Sequence, residues 1–148
     1  MEDLPEILTQ LRQNHCLLVN PRRRNGIILI KPYHAEFAGP GSVIGNDFDR
    51  DVIDILAVGN LSILQPQNPE EKRKGYLIRR QWVLLMKQIV DNPIPRERAQ
   101  VILNQFEHWF DATTATLLSD EIFGLLVGAL PTTIAEVRQE NERLLIRL

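Results

Sequence analysis

Asp47, Asp49, Asp51 and Asp54 fall in the run DFDRDVID, and carboxylates on alternate residues begin the loops that hold calcium. Such a loop needs glycine at its sixth position and a bidentate glutamate at its twelfth. Here those positions hold Val52 and Val58. The run reads instead as a helix start, with Asp47 as cap, Asp51 in the first turn where the helix dipole favours it, and Phe48, Val52, Ile55 and Leu56 on one face ending at Gly59. His15, His34 and His108 each lack a second ligand at metal spacing, so no metal site is expected. Cys16, beside an apolar run, reads as core. The glycines of residues 39–46 (GPGSVIGN) lack both the lysine of a phosphate loop and the G-x-G-x-x-G spacing of a dinucleotide site. Ser42, Ser62 and Ser119 sit in no nucleophile elbow. Neither a cofactor nor an enzymatic activity is expected.

Residues 119–138 (SDEIFGLLVGALPTTIAEVR) carry a stronger pattern. Phe123 and Val127 are four apart, Gly124 allows a second helix to approach, and Gly128 can take the positive φ that reverses the chain. Pro131 starts the next helix, whose Ile134 and Val137 return to the same core. This order resembles the helix-turn-helix of transcriptional regulators of the cyclic-AMP-receptor type. Phe123, Gly124, Val127, Gly128, Ile134 and Val137 match its packing positions. The resemblance covers about twenty residues and implies a recognition helix starting at Pro131, with Thr132, Thr133 and Glu136 facing the groove of duplex DNA and Arg138 near the phosphates.

The helix departs from that pattern in its chemistry. It begins Pro-Thr-Thr-Ile-Ala-Glu, without the Arg, Lys, Asn or Gln that reads bases bidentately. From Leu118 onward five acidic residues stand against three arginines, which opposes a phosphate backbone. On the strength of the resemblance at 119–138, a non-enzymatic DNA-binding transcriptional regulator is nevertheless the first functional expectation. The alternative is a protein–protein interaction adaptor or assembly factor, in which the same residues form a compact helix corner. Ile134, Val137, Asn141, Leu144 and Leu148 also fall on a/d spacing, with a polar residue at a central a position, so a homodimer interface is expected along this stripe.

These residues have to be positioned by elements legible along 148 residues of ordinary globular composition, 44% hydrophobic and 24% charged. The net charge of −2 supplies no global field toward nucleic acid, and any phosphate contact must come from local clusters such as Arg22-Arg23-Arg24 or Lys72-Arg73-Lys74. One cysteine rules out a disulfide scaffold, and no apolar run is long enough to span a bilayer, so a cytoplasmic location is expected.

The N-terminal residues Leu4, Ile7, Leu8 and Leu11 recur at helical spacing behind Pro5. Residues 16–19 and 27–30 are strand-length runs, read as a hairpin across a turn-rich, arginine-tipped linker. Residues 33–46 read as irregular and 61–64 as a further short strand. The polar segment 65–75 (QPQNPEEKRKG) reads as a linker and a proteolytic site. Helical spacing dominates beyond it, with breaks at 91–95, near Thr113–Thr116 and at Gly128. The expected fold is α+β: a helix and β-hairpin subdomain over 1–64, a linker over 65–75 and a mainly helical domain over 76–148 containing the helix-turn-helix-like corner.

Overall fold

The computed structural model describes residues 3–147 and has the expected α+β class, with an N-terminal helix and short antiparallel strands followed by a mainly helical half. The chain divides into two compact units, Met1–Leu85 and Met86–Leu148.

In the first unit Asp3 accepts from the Glu6 N–H and starts α1 (Leu4–Arg12), whose Pro5 lies in the first turn, where its missing donor costs nothing. Six strands follow: β1 (Cys16–Val19), β2 (Asn25–Ile30), β3 (Ala35–Ala38), β4 (Val43–Gly45), β5 (Asp54–Gly59) and β6 (Ile63–Leu64). They form two antiparallel three-stranded sheets, ordered β4-β1-β6 and β3-β2-β5. Leu17, Val19 and Ile44 of the first sheet share one core cluster with Ile27, Leu29, Ala38 and Ile55 of the second and with Ile7 and Leu11 of α1.

The long helix α2 (Pro69–Val90) closes the outer faces. Gly75 sits so close to Val43 and Leu18 that a Cβ there would meet the Val43 side chain at 2.3 Å. Farther along, the Trp82 ring stands edge-on to Phe37, 5.2 Å between centroids, and covers Gly39. Both strand faces are thus buried, which is why β1 and β2 read as continuous apolar runs rather than alternating ones.

Several sequence expectations are corrected here. The strands at 16–19 and 27–30 do not pair with each other. The hairpin is β2–β3, with Ile28 opposite Phe37. The linker between β1 and β2 is instead folded by Asn25, wholly buried, whose amide donates to the carbonyls of Asn20 and Arg23 while its oxygen accepts from the Ser62 N–H. Asn-Gly therefore opens a strand and delivers it to the second sheet. Residues 33–46 contain β3 and β4. The helix expected from Asp47 to Gly59 is a single 3-10 turn over Asn46–Asp49 followed by β5, whose full-length pairing with β2 outweighs the helical spacing of Val52, Ile55 and Leu56. The segment 65–75 is linker only as far as Asn68. The side-chain oxygen of Asn68 accepts from the Glu71 N–H, and helix continues from Pro69 without a break. The two compact units divide after Leu85, within that helix.

The second unit packs α3 (Pro95–Trp109), α4 (Ala112–Leu117), α5 (Asp120–Val127) and α6 (Pro131–Arg147). Asp111 caps α4 and Ser119 caps α5 through side-chain oxygens. The core is Ala99, Ile102, Leu103, Phe106, Phe123, Leu126, Val127, Ile134 and Val137, with the Phe106 and Phe123 rings perpendicular at 5.3 Å. Among the described residues, no helix is long and apolar enough to cross a membrane.

Candidate functional site

The corner at 119–138 has the packing its spacing suggested. Phe123, Val127, Ile134 and Val137 are buried. A Cβ on Gly124 would meet the Ala129 carbonyl oxygen at 2.5 Å, and Gly128 closes α5 at φ 69°. The residues expected to face DNA are employed differently. Thr132 is exposed and Thr133 half-buried. Glu136 pairs with Arg96 at 3.2 Å, and Arg96 also binds Glu140. Arg138 turns inward: it bonds Asp120 at 2.7 Å, donates to the Ala115 and Leu118 carbonyls at 2.9 and 2.8 Å, and lies 4.9 Å from the Phe123 ring centroid. The guanidinium adds a second donor to the Ala115 carbonyl, which already accepts from the Leu118 N–H, and reaches the Leu118 carbonyl just past the end of α4.

Arg98 performs the same task for α5, donating to Val127, Gly128 and Asn92 carbonyls at 2.6–2.9 Å. The a/d stripe is split by the fold. Ile134 and Val137 lie in the core of the unit and Asn141 is half-buried, a correction to the expected interface. Of that stripe only Leu144 stands out, 59% exposed. Leu148 lies outside the described residues.

A second constellation, missed by the sequence reading, sits in the first unit. Asp49, at the end of the 3-10 turn, is fully buried. Its carboxylate accepts two bonds from Arg79, at 2.9 and 3.0 Å, and one from the Gly45 N–H at 2.7 Å. Gly45 adopts φ 99° with its Cβ position against the His15 carbonyl, so only glycine brings that N–H to Asp49. Lys31, just past the end of β2 and 6% exposed, donates to the Phe48 carbonyl at 2.6 Å and pairs with Glu36, Asp49 and Asp51 at 2.8, 3.2 and 3.3 Å. Glu36 also meets Arg79 at 3.5 Å. The clues were Lys31 directly behind an apolar strand and Arg79 on the same α2 face as Gly75 and Trp82. A long cation on a buried face implies a buried carboxylate.

Burial alone would raise the Asp49 and Glu36 carboxyls. The hydrogen bonds and charges of Arg79 and Lys31 outweigh it and hold both below the ordinary range. Burial would likewise lower Lys31 and Arg79, yet their carboxylate partners hold both above their usual values. Each shift moves away from neutrality, so the cluster is fixed in its charged form. The half-buried Cys16 thiol is pushed up by burial, which disfavours its thiolate.

Beside this cluster lies a cavity of about 780 Å³ lined by Lys31, Glu36, Phe48, Tyr76, Arg79, Arg80 and Val83. No family model, curated protein or solved structure matches this chain.

Proposed function

We propose that this chain is a non-enzymatic cytoplasmic adaptor or assembly factor whose helical unit works by protein–protein contact, in the first place with a second copy of itself. The observation that carries this reading is the end of α6, where Leu144, Leu145 and Ile146 stand 59%, 71% and 85% exposed in succession. Large apolar side chains left in water around a helix end are the kind of surface that a symmetric contact covers. The buried charge cluster supports a non-catalytic reading, because none of its shifted groups is tuned toward neutral pH for proton transfer.

Against the DNA-binding regulator stands the use made of Arg138, Arg96 and Glu136. The cation that would meet phosphate is spent on Asp120 and two carbonyls. From Met86 onward six basic residues face nine acidic ones, a balance that repels a phosphate backbone.

Sedimentation equilibrium tests the proposal. A dimer is expected for the native chain, and a folded monomer for Leu144→Glu. A native chain that stays monomeric at about 100 μM, a concentration that populates weak pairs, would overturn it. Mixed duplex DNA at low salt is the second measurement. Binding that weakens steeply as salt rises would replace the adaptor by the DNA reading.

A further inference from the structure

We infer that the cavity of the first unit is a binding site for a small amphipathic anion, a planar aromatic body carrying one negatively charged group. The inference stands apart from the proposed self-association, which concerns only the helical unit.

The volume of about 780 Å³ is that of a site for a small organic molecule rather than a packing defect. Its walls suit a flat ring. Phe48 and Tyr76 stand 5.8 Å apart with their planes inclined at 63°, and Val83 lies on the same surface. The Tyr76 hydroxyl accepts a hydrogen bond from the Asn46 amide, which anchors the polar end of that ring and leaves its body as wall. Phe48 is 63% and Val83 42% exposed, so an aromatic and a branched aliphatic side chain stand in solvent on one cavity. A ligand lying between them would remove both from water.

The charges decide the sign of the ligand. Three cations line the cavity. Lys31 is engaged by three carboxylates and a carbonyl, and Arg79 by Asp49 and Glu36. Arg80, exposed on the next α2 position, makes no hydrogen bond or ion pair among the described residues. The one carboxylate on the lining, Glu36, is held by Lys31 and Arg79. A cationic ligand would find no uncommitted acceptor, whereas an anion finds the planar donor fork of Arg80. The pinned cluster holds the cavity floor in place, so little ordering has to accompany binding.

Fluorescence titration of the full chain with 1-anilinonaphthalene-8-sulfonate tests this, with neutral N-phenyl-1-naphthylamine as the uncharged counterpart. Saturable single-site binding of the sulfonate is expected. Val83→Trp, which fills the cavity, should abolish it, with circular dichroism confirming the fold. Phe48→Ala, at an exposed position, serves as the second variant and should weaken both dyes. Arg80→Gln should weaken the sulfonate about tenfold, the worth of one charge-assisted contact, and leave the neutral dye unchanged. Absence of saturable binding, survival of binding in both cavity variants, or an equal effect of Arg80→Gln on the two dyes would each overturn the inference. Loss of the signal in Leu144→Glu would place the dye on the end of α6 and overturn it as well, without bearing on the dimer measured by sedimentation.

Discussion

The two units tie down their inner arginines in opposite ways. In the first, Arg79 meets ionised carboxylates inside a packed α/β layer, and the Asp49 it binds is fully buried. In the second, Arg98 and Arg138 lie nearer the surface and spend most of their donors on backbone carbonyls at helix ends. The difference follows from the elements. Helices leave a ring of unpaired carbonyls at each C-terminus, which a cation can cap without a titrating partner. Paired strands leave few such acceptors, so a cation drawn under α2 has to bring carboxylates with it. The price is a cluster that fails as a set once one member is removed.

The largest predicted effect tests that claim. Asp49→Ala would strip Arg79 of both short bonds, leave the Gly45 N–H without its acceptor and weaken the hold on Lys31. A loss of about 3–5 kcal/mol is expected, the range for breaking one side of a buried pair. The two tryptophans separate the units. Trp82 lies on Phe37 in the first and Trp109 on Phe106 in the second. Urea unfolding in Trp109→Phe and Trp82→Phe backgrounds should therefore show the shift on Trp82 alone. An equal shift on Trp109 would break the comparison.

Acid should reproduce part of that effect. Asp49 and Glu36 are held below their ordinary values, so their contribution is complete above the unfolded-state range near pH 4 and is lost as pH falls through the folded values. Lys31 is held above its ordinary value, so its contribution is complete below about pH 10.4 and is lost as pH rises through the folded value. The urea midpoint read by Trp82 should drop at both extremes. Arg98, whose three acceptors are carbonyls that do not titrate, should give the Trp109 transition a flatter profile.

Arg98→Met should cost the helical unit about 1–3 kcal/mol, because it leaves carbonyls of Val127 and Gly128 without their donor. Gly124→Ala belongs in the same range, since its Cβ would meet the Ala129 carbonyl oxygen at 2.5 Å and the crossing has to open. Gly128→Ala meets nothing within 4 Å. It pays only for a non-glycine residue at φ 69°, about 1 kcal/mol, and Gly128→Asn should recover part of it. Unfolding midpoints ordered otherwise would mean that the corner is not held by close approach.

The helical unit was the more legible of the two. Pro95, Gly128 and Pro131 each act locally, and each marks a helix end where the sequence suggested one. In the first unit the deciding contacts are distant along the chain. Asn25 reaches Ser62, Lys31 reaches Asp49, and Arg79 reaches both Asp49 and Val43. Val52, Ile55 and Leu56 satisfy helical spacing, yet β5 forms because β2 offers it six consecutive partners. The cluster is hidden in the sequence because the local spacing of DFDRDVID suggests only a calcium loop or a helix start, while the residues that explain Asp49 are eighteen positions before it and thirty after.

The smallest predicted effect sharpens the comparison within the helical unit itself. Arg96 forms two ion pairs, with Glu136 and Glu140, where Arg98 makes three hydrogen bonds to carbonyls. The Arg96 side chain is 46% exposed and the two carboxylates 63% and 56%, so water already solvates all three charges. Holding three long side chains in one geometry costs rotamer freedom that the screened attraction barely offsets. Arg96→Ala should therefore cost at most about 0.5 kcal/mol at low salt. That difference should vanish near 1 M salt, where the screening length falls to about 3 Å. Arg98→Met should keep its full cost at the same salt, since carbonyl hydrogen bonds are not screened in this way. Urea midpoints of the two variants at both ionic strengths give the answer. A salt-resistant loss for Arg96→Ala as large as that of Arg98→Met would show that surface charge, rather than the capping of helix ends, holds the corner together.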